Sequence, residues 1–369
     1  MRVRRALAAL LLAVTTLLTG AAPAEGTPGP APAAFTISGV DLHDTVMREY
    51  DGTYYLYGTM YGCGFRWGTS GTPWCGFGVS TAPASTGPWT QPQVLFDPAS
   101  LDPWAQRSWQ TTCGGTGQGC FNPRMIRRTG WGADDGVYIL WFNAPRHWSD
   151  SYANAYNVMG CAGPSGPCGQ GAVPNGSYNK PALSICGGNG DFGLIDSGTP
   201  GGRPAIVCTQ PGATELRIEQ LNHWGSGGTG VGVRRVAGLG GHVEGPGGWW
   251  DPEQQQYVLT YSDQGCGYCA GTPIGYATSP SLYSGWTAPG NVGWGAPAYA
   301  RRTFSTASCG GQPRTVTVLD GQPWQIIDLW LGTENETAAP THLVPLHYTP
   351  TPGTPGDGQV WRPPLTLDC

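Results

Sequence analysis

The stretch Asp51-Gly52-Thr53-Tyr54-Tyr55-Leu56-Tyr57 decides the fold. An Asp-Gly pair favours a tight turn with both residues at positive φ, and the aromatic run behind it favours a pleated strand. The same kind of unit recurs four times. Asp135-Gly136 leads into Val137-Tyr138-Ile139-Leu140-Trp141-Phe142, and Gly201-Gly202 into Ala205-Ile206-Val207-Cys208. Gln254-Gln255-Gln256 leads into Tyr257-Val258-Leu259-Thr260-Tyr261, and Asp320-Gly321 into Trp324-Gln325-Ile326-Ile327-Asp328. These hairpins lie roughly 50–85 residues apart, a period suited to four-stranded blades with long inserted loops. A second element follows three of them: Ser80-Thr81-Ala82-Pro83 with Gly87-Pro88-Trp89, Gly163-Pro164 with Gly166-Pro167, and Ser279-Pro280-Ser281 with Gly285-Trp286. These read as outer blade strands. Helical periodicity is nearly absent. The pattern predicts an all-β, five-bladed β-propeller occupying 35–369 as one domain; a β-sandwich would not need five similar units.

Glycine and proline, 60 and 34 residues, make a quarter of the 369-residue chain. That fraction alone would suit disorder, but 16 Trp, 16 Tyr and 8 Phe require a core or a stacking surface. Charged residues are only 12%, with Lys180 the single lysine, which excludes coiled coils and basic tails. Arg2, Arg4 and Arg5 precede an apolar run from Ala6 to Leu18, and Ala22-Pro23-Ala24 fits a cleavage site. Residues 1–24 therefore read as a signal peptide and 25–34 as a Pro/Ala-rich leader. Removing 1–24 takes away three arginines and no acids, so the formal charge goes from −5 to −8. An acidic chain is a poor nucleic-acid partner, and no stretch reaches 18 apolar residues, so no membrane partner is expected.

Twelve cysteines behind such a leader point to an oxidising compartment. Their spacing suggests the bridges Cys63/Cys75, Cys113/Cys120, Cys161/Cys168, Cys186/Cys208, Cys266/Cys269 and Cys309/Cys369, although spacing does not fix the pairing. A zinc site is the rival reading. It is weaker, because Cys266-x-x-Cys269 has neither a second CxxC nor a downstream His pair.

The chain has no G-x-S-x-G elbow, no H-E-x-x-H and no P-loop lysine. What remains is a set of acids ahead of predicted inner strands: Asp44, Asp191 and Glu244. The first strand of each blade lines a propeller's axis, so the three would meet at one mouth. Converging carboxylates suit glycoside hydrolysis, in which one activates water and another, kept protonated, donates to the leaving oxygen. A lone Asp ahead of a hairpin is more often a turn cap, so joint placement carries this argument. Glu244, set between Val243 and Gly245-Pro246, has no evident structural use.

The arrangement resembles glycoside hydrolase family 43, five-bladed propellers acting on arabinose-, xylose- and sometimes galactose-containing glycans. His43-Asp44-Thr45 followed by Asp51-Gly52-Thr53-Tyr54-Tyr55 is similar to the family's first pattern. Asp191-Phe192-Gly193-Leu194-Ile195-Asp196 is similar to the second. Glu244-Gly245-Pro246 with Tyr257-Val258-Leu259-Thr260-Tyr261-Ser262 is similar to the third. Thr45 and Phe192 stand where the family usually has Pro, Arg124 stands where many relatives carry an acid or a small residue, and the Cys-rich insertions mark a divergent subgroup. The resemblance implies Asp44 as general base, Glu244 as general acid and Asp191 as the group that tunes it. His43, His242, Arg124, Asp263 and Arg314, with Asp328, are weaker candidates for the pocket lining; blade-core hydrogen-bond networks also use such groups. Trp67, Trp74 and Trp109 are candidates for stacking on sugars.

The resulting expectation is a secreted, monomeric, inverting glycosidase. Its substrate is a cell-wall glycan with arabinofuranosyl or xylosyl linkages, galactosyl being a further option. No cofactor is required, no metal ligands are assigned, and the resemblance admits a structural Ca2+ or Na+ in the axial channel. Two alternatives are a non-catalytic carbohydrate-binding propeller and a fructan hydrolase of the related clan, whose W-M-N-D-P-N-G motif is missing here.

Overall fold

The computed structural model describes residues 32–131, 135–145, 154–187, 190–199, 201–210, 215–233, 236, 243–263, 269–286, 302–332, 335–348 and 365–369. The chain opens with β1 (Phe35–Ile37), then builds a four-stranded sheet from β2 (His43–Tyr50), β3 (Thr53–Thr59), β4 (Phe77–Ala82) and β5 (Gln93–Phe96). A small hairpin, β6 (Leu101–Asp102) and β7 (Arg107–Ser108), and a one-turn helix, α1 (Trp109–Thr112), lead to the second blade. That blade holds β8 (Phe121–Arg127), β9 (Tyr138–Pro145), β10 (Asn154–Cys161) and β11 (Lys180–Leu183). The third holds β12 (Phe192–Ile195), β13 (Ala205–Thr209), β14 (Leu216–Leu221) and β15 (Gly228–Val233). The fourth holds β16 (Val243–Asp251), β17 (Gln256–Asp263), β18 (Ile274–Ser279) and β19 (Arg302–Ser305). The fifth holds β20 (Gln312–Leu319), β21 (Gln322–Asp328) and β22 (Thr341–Tyr348), and β23 (Leu365–Leu367) adds to β22. The protein is a five-bladed β-propeller.

The ring closes through the fifth blade. β1 pairs antiparallel with β22, Phe35 opposite Leu343 and Ile37 opposite Thr341. β23 takes the other half of the same edge, Leu365 opposite Tyr348 and Leu367 opposite Leu346. Both ends of the described chain thus cover one edge that would otherwise offer unpaired backbone groups.

The predicted hairpins are present, and two follow from backbone chemistry alone. Asp51 and Gly52 have φ of 52° and 79°, and Asp320 and Gly321 of 50° and 79°, the conformation that an Asp-Gly turn supplies without Cβ strain at its second residue. The fourth hairpin turns differently: the Asp251 carboxylate accepts from the backbone N–H of Glu253 and Gln254, so an Asx turn at Asp251-Pro252 sets it rather than the Gln run.

The apolar side chains fill the clefts between blades. Val46, Tyr57, Phe77 and Val79 of the first blade pack against Met125, Leu140, Phe142 and Met159 of the second. Similar clusters join the second to the third, the third to the fourth, and the fifth to the first. Trp74 and Trp109 are 1% and 2% exposed within the first of these clusters, which corrects the expectation that they stack on sugars; Trp67 is half-buried. Near the axis the inner strands approach so closely that side chains are excluded. A Cβ at Gly193 would lie 2.3 Å from the Pro246 carbonyl oxygen, and one at Gly247 would lie 2.1 Å from the Val316 amide nitrogen.

Inner strands run away from one mouth and second strands return to it, so the β3–β4 loop and the segments leading into β8 and β20 gather at that end. The bridges Cys63–Cys75, Cys113–Cys120 and Cys309–Cys369 brace those segments, Cys186–Cys208 ties the segment before β12 to β13, and Cys161–Cys168 lies at the far end of β10. All five match the pairing suggested by spacing. Cys269 is also disulfide-bonded, and Cys266 lies outside the described residues. The segments also bind one another: Gly68 N–H donates to the Gly117 carbonyl at 2.7 Å, and Trp74 N–H to Gln110 Oε1 at 2.7 Å.

Candidate active site

Four of the five inner strands begin with one residue more than their partner strand has. The extra residue falls between His43 and Val46, Phe121 and Arg124, Glu244 and Gly247, and Pro313 and Val316. Such bulges re-aim a side chain. Asp44, Asn122 and Gly245 stand there with φ of 53°, 55° and 56°. Asp and Asn tolerate this conformation better than other residues with a Cβ, and glycine adopts it freely. Asp191 reaches the same place without a bulge, from the residue just before β12.

Arg314 is the hub that these turns surround. Its Nη2 pairs closely with Asp44 Oδ1 and donates to Asn122 Oδ1 at 3.0 Å. Its Nη1 lies 3.1 Å from Asp191 Oδ2, and its Nε lies 3.7 Å from Asp328 Oδ2. Asp328 Oδ2 also accepts from the Asp44 backbone N–H at 3.0 Å. Burial alone would lower the pKa of this guanidinium, but Asp191, Asp44, Asp328 and Glu244 together raise it. Beneath it, Arg124 donates to the carbonyl oxygens of Asp44 and Phe192 and to Asn122 Oδ1. Burial, and then the charge of Arg314, bring Arg124 down to about 9. Asn122 completes the network by donating to Asp191 Oδ1 at 2.9 Å and Asn143 Oδ1 at 3.1 Å.

Glu244 stands at the edge of this cluster, and Gln312 Nε2 donates to its Oε2 at 3.5 Å. Burial first, and the charge of Asp191 second, push its carboxyl from 4.5 up to about 7, with Arg314 opposing. Asp328 is pushed up to about 6 by burial and then by Asp44. Two guanidinium groups thus sit among four carboxyl groups, two of which are biased toward their neutral form. A site of this kind can hold one carboxyl protonated beside others that carry charge, the division that acid–base hydrolysis requires.

Asp44, Asp191, Glu244, Arg314, Arg124 and Asp328 therefore come together. His43 does not join them. Its ring is fully buried, with Nε2 3.3 Å from Asp41 Oδ1, and packs edge-on against Tyr61 at 5.0 Å. It offers no surface to a ligand, which corrects its reading as a sugar contact. Arg124, 2% exposed, likewise works inside the network. His242 and the side chain of Asp263 lie outside the described residues. Asn122 and Gln312 escaped the sequence reading. The signal that could have found them is positional: Asn122-Pro123 and Gly245-Pro246 begin their strands as Asp44-Thr45 does, and Gln312 opens β20 as Glu244 helps open β16.

Among the described residues no group of three or more His, Cys, Asp or Glu is placed to hold a metal ion. Arg314 and Arg124 already supply cationic charge at the axis, so the described residues do not fit a Ca2+ or Na+ there. A separate cavity of about 570 Å³ opens at the opposite end of the propeller, where Arg48 pairs with Asp196 at 3.4 Å and Arg127 with Asp51 at 3.2 Å. It lies at the opposite ends of the inner strands from Asp44, Asp191 and Glu244.

No family model matches the chain, and no characterised protein matches it in sequence. Solved structures do match. An exo-β-1,3-galactanase from Phanerochaete chrysosporium is similar with a TM-score of 0.60 at 15% identity, covering 83% of this chain and 60% of that one. An exo-1,5-α-L-arabinanase from a bovine ruminal metagenomic library is similar at 0.54 and 15%, covering 89% and 97%. An arabinanase from Bacillus subtilis is similar at 0.53 and 16%, covering 84% and 96%. These likenesses establish the propeller fold of family 43 glycoside hydrolases, the fold that the sequence resemblance implies. The chain spans about 60% of the length of the galactanase it matches.

Proposed function

We propose that the chain is a secreted glycoside hydrolase of the family 43 type that cleaves a plant cell-wall glycan with inversion at the anomeric carbon. The observation that carries this reading is the convergence of Asp44 and Asp191 on Arg314 next to Glu244, whose carboxyl is pushed up to about 7 by burial and then by the charge of Asp191. Glu244 gives its proton to the leaving glycosidic oxygen as that bond breaks. Asp44 accepts a proton from the water that attacks the anomeric carbon. Among the described residues only Oδ1 of Asp44 is paired, to Arg314, which leaves Oδ2 for the water. Burial, and then like-charge repulsion from Asp191, keep Glu244 protonated. After one turnover Asp44 carries a proton taken from the attacking water and Glu244 lacks the one that left on the departing sugar, and exchange with solvent restores both. General acid catalysis of this kind contributes about 10²–10⁴-fold.

The neighbours in fold act on galactan and arabinan, so galactosyl and arabinofuranosyl linkages lead the candidate substrates, with xylosyl behind them. Secretion is supported by the disulfides, which persist in oxidising compartments. The test is incubation with β-1,3-galactan, arabinan and xylan. Sugar release from at least one, abolished in Glu244→Gln, is expected. Binding of a polysaccharide with no release from any would replace the hydrolase with a carbohydrate-binding propeller.

A further inference from the structure

A carboxylic acid has two oxygens, and only one can carry its proton toward the glycosidic bond. Gln312, 2% exposed, lies against one of the two in Glu244. Its Oε1 accepts from the indole Nε1–H of Trp330 at 2.8 Å. An indole nitrogen only donates, so the amide cannot flip without setting its NH2 against the N–H of Trp330. The NH2 end is therefore committed to Glu244 Oε2. Trp330 is itself held: it is 7% exposed, and its ring lies 5.7 Å from that of His43, which Asp41 and Tyr61 fix in turn.

We propose that Gln312, locked in orientation by Trp330, is a positioning residue for Glu244: it reserves Oε2 as a hydrogen-bond acceptor and leaves Oε1 to carry the transferable proton. This rests on Glu244 being the general acid. His43 then acts at a distance, as the support of Trp330. The distance of 3.5 Å from Gln312 to Glu244 is long, as hydrogen bonds at unliganded catalytic sites often are, and it shortens when substrate seats the acid.

The test compares two substitutions. Gln312→Leu removes the donor. Trp330→Phe keeps a ring but frees the amide to turn its carbonyl toward a protonated Glu244. Both disfavour the ionised carboxylate, so both move the basic limb of the pH–rate profile upward, by about half a unit to one unit. Both also cost about 10-fold on poor leaving groups and far less on activated ones, because the proton is no longer aimed. The probes are dinitrophenyl glycosides and disaccharides of galactose, arabinofuranose and xylose, with thermal melts confirming that each variant is folded. Equal losses on both substrate types with the limb unmoved, in folded Trp330→Phe, would make Gln312 merely structural and overturn the proposal. If Glu244→Gln itself keeps wild-type rates on both substrate types, the acid assignment fails and this proposal falls with it.

Discussion

Replacing Asp191 by Asn tests the electrostatics of the site at one atom. Asp191 Oδ2 lies 3.1 Å from Arg314 Nη1, and its Oδ1 accepts from Asn122 at 2.9 Å. Asn keeps the shape and can still accept one of these bonds, but it loses the charge. The Glu244 carboxyl is raised from 4.5 to about 7 by burial first and by Asp191 second, with Arg314 opposing. Removing the second contribution leaves burial in place, so the pKa settles between those limits, about one unit down. One unit is ~1.4 kcal/mol of differential stabilisation of the protonated acid. The sign follows directly. Glu244 must be protonated to act, so the basic limb of kcat/KM moves from about 7 to about 6, and the optimum shifts toward acid. At pH 7 the protonated fraction drops from about half to about a tenth, a loss of about 5-fold from ionisation alone. The maximal rate falls as well, because Arg314 turns more of its field onto Glu244. The assay is kcat/KM against pH from 4 to 9 on whichever polysaccharide the screen identifies. A basic limb that stays in place with full activity, or one that moves upward, would refute the assignment of Asp191.

The remaining expectations are briefer. Glu244 and Asp328 both have raised native pKa values, so the native state holds more protons than the unfolded chain between about pH 4 and 7. Stability from these groups is complete below pH 4 and falls as pH rises through 6 to 7, by up to about 3 kcal/mol for each; chemical denaturation across that range should show the slope, and Asp328→Asn should flatten it. Alkylation of the unreduced protein should label no cysteine, whereas several labelled thiols would contradict the disulfide framework. Cys309–Cys369 spans 60 residues and anchors β23, so Cys369→Ser should cost about 4 kcal/mol by the chain-entropy estimate and lower Tm clearly. NMR of the first product, before mutarotation, should show inverted configuration; retention would mean that Asp44 is a nucleophile rather than a base.

The fold was legible because its strongest signals are local. Asp51-Gly52 and Asp320-Gly321 announce their hairpins through turn chemistry that needs no partner, and the runs behind them are rich in the aromatic and β-branched residues that strands favour. The acids were legible for a related reason: each lies at the start of an inner strand, where a propeller brings separate blades to one axis. The hub was not legible. Arg314 matters because it meets Asp44 across 270 residues and Asp191 across 123, and nothing near it in sequence distinguishes it from a core arginine. Asn122 and Gln312 were hidden similarly, since a neutral amide gains meaning only from the charged groups it faces. His43 misled the reading because it neighbours Asp44; the bulge at Asp44 turns that carboxylate to the axis while the imidazole stays in the core. The tryptophans on long loops misled it because disulfides and backbone bonds fold those loops back onto the first and second blades.

The central claim is that Glu244 protonates a leaving sugar oxygen, and Glu244→Gln measured on two leaving groups tests it most directly. The substitution preserves shape and removes the proton donor. On a natural disaccharide, whose leaving alkoxide needs the proton, the rate should fall by about 10²–10⁴-fold. On the dinitrophenyl glycoside of the same sugar, whose leaving group departs unaided, the fall should be far smaller. Equal losses on the two substrates, or retention of the wild-type rate on the disaccharide, would contradict the account.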